Sequence, residues 1–144
     1  KMYGLVGHQL AYLTSSPQTF KVEIGPSRLA DMGGGGWWDP GKGGGGTISI
    51  DPARFPREIG GVQVGFNEAL VHELAHAVGT LIPGVQDRFN KYVLGVYPKI
   101  EGCAMAVENQ YRRSVLGLGD LRIRLWYWWL GDYADPGPGE AVYP

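Results

Sequence analysis

The rhythm of hydrophobic and polar positions changes several times along this chain. Phe20-Lys21-Val22-Glu23-Ile24 alternates apolar and polar side chains, the period of a strand with one buried face, and Gly25-Pro26 ends it. Thr47-Ile48-Ser49-Ile50 predicts a second strand, stopped by Asp51-Pro52. Residues 68–78 read as a helix that is apolar on most sides, with Ala69-Leu70-Val71 before its polar centre, Ala77-Val78 after it and Gly79 where a C-terminal cap belongs. Beyond the turn at Pro83-Gly84, a short helix is expected over 87–94. A long one follows over 101–116, with Pro98 just before its start, and a final helix or strand over 121–130. Gly60-Gly61 reads as a linker, and Asp135-Pro136-Gly137-Pro138-Gly139 as an irregular tail. With no internal repeat, the pattern predicts an α+β domain spanning residues 1–144.

Glycine changes this picture in one place. Gly33 to Gly36 and Gly43 to Gly46 flank Trp37-Trp38-Asp39-Pro40-Gly41-Lys42, a stretch with no helical or strand preference. It reads as a flexible surface loop or, functionally, as a mobile flap whose tryptophans touch a substrate. It is not a phosphate loop, because no Gly-Lys-Ser/Thr follows.

Length and charge bound the rest. A chain of 144 residues can bury a core as one domain. Thirteen basic and 14 acidic side chains give a formal net charge of −1, which leaves no electrostatic footprint for nucleic acid or an anionic membrane. The longest aromatic-apolar run, Leu125-Trp126-Tyr127-Trp128-Trp129-Leu130, is far short of the roughly 18 residues a bilayer span needs. One cysteine, Cys103, lies in an apolar helical stretch and reads as a buried, inert thiol. The opening Lys1-Met2-Tyr3 carries no signal-peptide pattern and is expected of a domain excised from a longer protein.

The candidate chemistry lies in the helix over 68–78. His72-Glu73-Leu74-Ala75-His76 is an HExxH motif: positions i and i+4 share a helix face, so two imidazoles can bind one ion from the same side. Glu73 follows the first histidine and sits where a carboxylate can take a proton from water beside a zinc ion. Two histidines and a glutamate on a buried helix are costly to desolvate without such a purpose.

A catalytic zinc keeps three protein ligands, so a third is required. It is not a third histidine: Ile82 stands where the longer motif needs one, and His8 lies far upstream. Gly79-Thr80 begins the aspartate variant, but the position that needs aspartate is Pro83. A downstream glutamate remains, the gluzincin arrangement. Glu101 and Glu108 stand seven residues apart, nearly two turns, and can face the same side. Glu108 is the favoured ligand because Ala104-Met105-Ala106-Val107 surrounds it with apolar residues, where a carboxylate needs a partner. Glu101, the alternative, has an ordinary role available at the helix N-terminus. Whichever is not a ligand is placed to orient a histidine.

Val107-Glu108-Asn109-Gln110-Tyr111-Arg112-Arg113, then Leu116-Gly117-Leu118, then Arg124-Leu125-Trp126-Tyr127 resemble the E-N-x-x-R…L-G-L…R-x-x-Y tail of NleD-type zinc metallopeptidase effectors, including the metallopeptidase domain at the end of type VI secretion spike (VgrG) proteins. The resemblance covers about residues 64 to 127; relatives carry a Glu-Glu pair where this chain has Glu101-Gly102. It implies that Arg124 and Tyr127 donate to the oxyanion formed at the scissile carbonyl, against the ordinary alternative of surface contacts and aromatic packing. Arg112 and Arg113 read as structural or solvated, one of them paired to a carboxylate.

These readings converge on a compact zincin-like, gluzincin-type α+β domain acting as a zinc-dependent endopeptidase. The expected zinc ligands are His72, His76 and Glu108, with Glu101 as the alternative, and Glu73 is the general base. The strand Thr47 to Ile50 is expected to be the edge that takes an extended peptide by β-addition. The resemblance implies a bacterial toxin delivered by a secretion system, carried on or fused to a spike and acting on protein or peptide in the target-cell periplasm, or alternatively the host cytosol. A cognate immunity protein belongs to that picture. Two other functions fit the same residues: a zinc amidase or peptidase acting on cell-wall peptides, and an inactive zinc-stabilised module that binds through its tryptophans.

Overall fold

The computed structural model describes residues 2–59, 62–87, 96–117 and 141–144. Most of the expected helix over 87–94, the element over 121–130 and the tail over 135–139 lie outside the described residues. In chain order the elements are α1 (Met2–Ser15), β1 (Phe20–Ile24), α2 (Arg28–Met32), β2 (Gly36–Pro40), β3 (Gly46–Ile50), a 3₁₀ turn at Pro52–Arg54, β4 (Arg57–Ile59), β5 (Val62–Val64), α3 (Phe66–Gly79) and α4 (Val96–Tyr111). Helix α4 runs on into a π-helical turn, Arg112–Leu116, and Gly117 ends it in the left-handed conformation with φ 65°. The architecture is α+β, with a small mixed sheet and helices.

Strand order is β1-β3-β2, with β1 parallel and β2 antiparallel to β3. Both strands expected from alternation are present, but β3 is the central strand, not an edge. Its backbone is engaged on both sides: Gly46 N–H donates to Thr19 O at 3.1 Å on the β1 side, and Asp51 N–H donates to Gly35 O at 2.8 Å on the β2 side. The edge beside the helices is β2. Pro40, which has no N–H to donate, closes it, a position proline takes at sheet edges.

Strand β2 arises inside the segment expected to be a loop. Gly33 to Gly36 form a close-packed elbow, not a mobile stretch. A Cβ on Gly33 would collide with the Gly36 carbonyl, one on Gly34 with the Arg57 guanidinium, and one on Gly35 would lie 2.9 Å from the Phe55 ring. Arg57 also donates to the Gly34 carbonyl. Trp38 then packs back onto the core, its ring stacked on Phe20 with centroids 6.2 Å apart. The residues that flank the expected linker pair with each other. Arg-Glu-Ile and Val-Gln-Val alternate on either side of residues 60–61, and Arg57–Ile59 pairs antiparallel with Val62–Val64.

Helix α3 is the hub: it packs on β2, β3, α1 and α4. It starts two residues earlier than the pattern indicated. Glu68 reaches back to accept the Gly65 N–H at 3.1 Å, which satisfies one of the donors left free at a helix start. At its other end Gly79 is still helical, and Thr80 makes the cap in the right-handed region, its hydroxyl donating to Ala77 O at 2.7 Å. The glycine is explained instead by the Gln86 side chain, 2.8 Å from where its Cβ would be. Ile48 and Ile50 of β3 are fully buried in the core, as are Val71, Ala77 and Val78 of α3. Cys103 is buried with them. Pro98 lies within the first turn of α4, where its missing N–H costs no helix hydrogen bond.

Helix α1 follows a stripe of Leu5, Gln9 and Leu13, one turn apart and all buried. Gln9 uses that position to donate from Nε2 to the Val71 carbonyl at 3.0 Å and to the Tyr143 hydroxyl at 3.1 Å. Burial raises the Tyr143 pKa further above its ordinary value, so the phenol stays protonated. Tyr143 and Val142 are buried, and Val142 N–H donates to Gln110 Oε1 at 3.0 Å, tying the end of the chain to α1 and α4. Arg112, also buried, pairs with Glu68 and donates to Gln63 O at 3.1 Å, joining the end of α4 to the start of α3 and to β5.

That buried pair is costly to break from one side, because the partner's charge is left uncompensated. Arg112→Ala should lower unfolding stability by about 3–5 kcal/mol in urea denaturation. Arg113→Ala, on a less buried face, should cost far less.

Candidate metal centre

Helices α3 and α4 bring three side chains to one point. His72 and His76, one turn apart on α3, are both buried, with ring centroids 5.0 Å apart and planes at 74°. Glu101 of α4 reaches both: Oε2 is 3.2 Å from His72 Nε2, and Oε1 is 3.1 Å from His76 Nε2. One ligand atom from each of the three residues can be chosen so that all lie within 4.8 Å of one another. This buried group can hold a metal ion.

Glu108 takes the other side of the same histidine. It is fully buried, and its Oε1 accepts from His72 Nδ1 at 3.0 Å. The seven-residue spacing does put both glutamates on the face of α4 that meets α3. Their parts are nevertheless the reverse of the expected ones: the structure gathers Glu101, not Glu108, with the two Nε2 atoms. The burial of Glu108, the reason for expecting it as a ligand, is met by an imidazole N–H instead of a metal ion. A carboxylate on Nδ1 fixes the ring so that Nε2 points at the shared centre.

The electrostatics of the metal-free group follow from these contacts. Burial acts to lower the pKa of His72, but hydrogen bonds to Glu101 and Glu108 outweigh it and raise the value from 6.5 to about 10. Burial acts to raise Glu101, and its hydrogen bonds to His72 and His76 hold it well below the usual carboxylate range. These contacts favour the protonated form of His72.

Glu73 stands beside His72 in α3. From Val71 to Gly79 it is the one residue that is not fully buried. Its carboxylate lies against Gly36 at the start of β2. Arg124 and Tyr127, the expected oxyanion donors, lie outside the described residues. Two contributors escaped the sequence reading. Gln9 steadies α3 through the carbonyl next to His72; its signal was a polar residue in the centre of an apolar stripe. Gly36 sits within a glycine run, where nothing distinguishes it from its neighbours. No family model, curated protein or solved structure matches the chain. Among the described residues no helix is long and apolar enough to cross a membrane.

Two outcomes are expected. Competition titration with a chromogenic chelator should rank Glu101→Ala with His72→Ala and His76→Ala as the variants that lose most metal affinity. Glu108→Ala should weaken it by about 10–100-fold, the usual cost of losing a group that orients a ligand.

The second concerns pH. A raised histidine pKa contributes stability that is complete below 6.5 and lost as pH rises towards about 10, so the metal-free protein should melt at lower temperature across that interval. The depressed Glu101 contributes above its ordinary value of 4.5 and is lost as pH falls through its lowered one. Metal must displace the His72 Nε2 proton, so affinity should rise by about tenfold per pH unit across the same alkaline interval. Calorimetry with and without metal reads both effects.

Proposed function

We propose that this chain is a zinc-dependent endopeptidase domain of the zincin type, with zinc held by His72, His76 and Glu101 and with Glu73 as general base. The observation that carries this reading is the gathering of His72, His76 and Glu101 at one point, with Glu73 next to the first of them on the same helix.

The donor set fits zinc. Ligand atoms about 2.0–2.1 Å from zinc at the corners of a tetrahedron lie about 3.3 Å apart. The two Nε2 atoms meet different oxygens of Glu101, at 3.2 and 3.1 Å, and one ligand atom from each residue lies within 4.8 Å of the others, close enough to converge on one ion. Two imidazoles and one carboxylate leave the fourth position for water, as catalytic sites do. Among the described residues His76 Nδ1 is buried without a hydrogen-bond partner, so its Nε2 is the nitrogen through which that ring meets Glu101.

A bound zinc ion supplies Lewis acidity, which brings the acidity of water towards neutral pH. Glu73 takes the water's proton and returns it to the leaving amine. Glu108 keeps His72 oriented, and Gln9 holds the helix turn from which His72 projects. Strand β2, with its outer edge beside Glu73, is the strand that an extended peptide would join by β-addition. The resemblance of the segment from Val107 to Tyr127 extends this reading. Arg124 and Tyr127 would donate to the developing oxyanion. The domain would be a toxin delivered by a bacterial secretion spike, acting on protein or peptide in the target-cell periplasm or in host cytosol and neutralised by an immunity protein. Cell-wall peptides are a substrate class the same site would accept.

The half-burial of Trp37 and Trp38 favours an enzyme over a module that binds through exposed tryptophans. Glu73→Gln tests the choice. The amide is nearly isosteric but cannot accept a proton, so the variant should keep zinc and thermal stability and lose at least about 100-fold in hydrolysis, the scale of general-base catalysis. Toxicity in cells should vanish with it. A Gln variant as toxic as wild type would show that harm does not come from hydrolysis at this site.

A further inference from the structure

We propose that Gly36 is a positioning residue for Glu73: its missing side chain leaves the notch in the sheet edge that seats the catalytic carboxylate. This rests on the assignment of Glu73 as general base and adds a determinant outside the HExxH helix. A Cβ on Gly36 would lie 3.1 Å from Glu73 Oε1, 3.2 Å from Cγ and 3.4 Å from Cδ. Its three nearest neighbours are thus all atoms of one side chain, running from the stem of Glu73 to its oxygen. The first two separations are tighter than ordinary van der Waals contact, so a methyl group would displace the carboxylate by a few tenths of an ångström.

The backbone gives no other reason for glycine here. Gly34 and Gly35 have φ of 70° and 132°, which only glycine adopts readily, whereas Gly36 does not have a positive φ and lies in a regular strand paired with Ile50. In such a position a side chain normally stabilises the strand. Gly33, for contrast, is constrained by backbone, the Gly36 carbonyl. Gly36 is constrained by Glu73. The notch also explains how α3 approaches the edge strand with a carboxylate on the facing side. Any side chain at position 36 would either separate β2 from α3 or turn Glu73 out of the seam.

A double-mutant cycle read by melting temperature tests this without depending on any substrate. Wild type, Gly36→Ala, Glu73→Ala and the double variant are compared as metal-free full chains by calorimetry, and zinc stoichiometry is measured by mass spectrometry. With Glu73 present, Gly36→Ala should lower the melting temperature by about 2–4 °C. In the Glu73→Ala background the same change should leave it unchanged or raise it, because alanine is better than glycine within a strand. Zinc stoichiometry should stay at that of wild type in Gly36→Ala. An equal shift in both backgrounds, or none in either, would overturn the proposal and make Gly36 a residue of the sheet alone. Because the cycle reads stability, loss of the proposed hydrolytic activity and loss of the Gly36–Glu73 coupling remain separate results.

Discussion

The structure turns on one buried histidine held from both sides. His72 meets Glu108 through Nδ1 and Glu101 through Nε2, and both carboxylates come from one face of α4. A buried imidazole between two buried acids is tolerable only if all three are satisfied together, so this contact fixes how far α4 can slide or rotate against α3. The other polar contacts in the core reinforce the same register. Arg112 and Glu68 lock the far ends of the two helices, and Gln9 ties α1 and the end of the chain to the carbonyl beside His72.

The same contact sets the surroundings of the group. His72 and His76 are buried between α3 and α4, where a low dielectric strengthens each interaction, while Glu101 keeps 20% of its side chain exposed. Glu73, next to His72 in the chain, is half-buried and lies against β2.

The parts legible in the sequence were those set by local pattern. Alternation located β1 and β3, and the apolar surround of HExxH located α3. The elements that escaped owe their form to distant partners. Helix α1 has a polar residue in the middle of its buried stripe, and Gln9 is acceptable there only because Val71 O and Tyr143 wait across the core. Strand β2 is mostly glycine and tryptophan, and it becomes a strand because Gly34, Gly35 and Gly36 admit Arg57, Phe55 and Glu73 from other parts of the fold. Gly60-Gly61 stands between the alternating triplets of β4 and β5, a pattern that fits a hairpin as well as a linker.

The choice between Glu101 and Glu108 shows the limit most clearly. Their spacing placed both on one face, but which of them meets Nε2 depends on the translation of α4 along α3, about one turn in either direction. No local propensity encodes that distance. Burial argued for Glu108, and Glu108 is indeed the more buried; what it satisfies is the far nitrogen of His72. Anomalous diffraction at the zinc edge from zinc-loaded crystals tests this most directly. The account predicts one peak about 2.0–2.1 Å from His72 Nε2 and His76 Nε2 and about 2.0–2.2 Å from a Glu101 oxygen, with Glu108 still on Nδ1. A peak coordinated by Glu108, or zinc bound away from these helices, would contradict it.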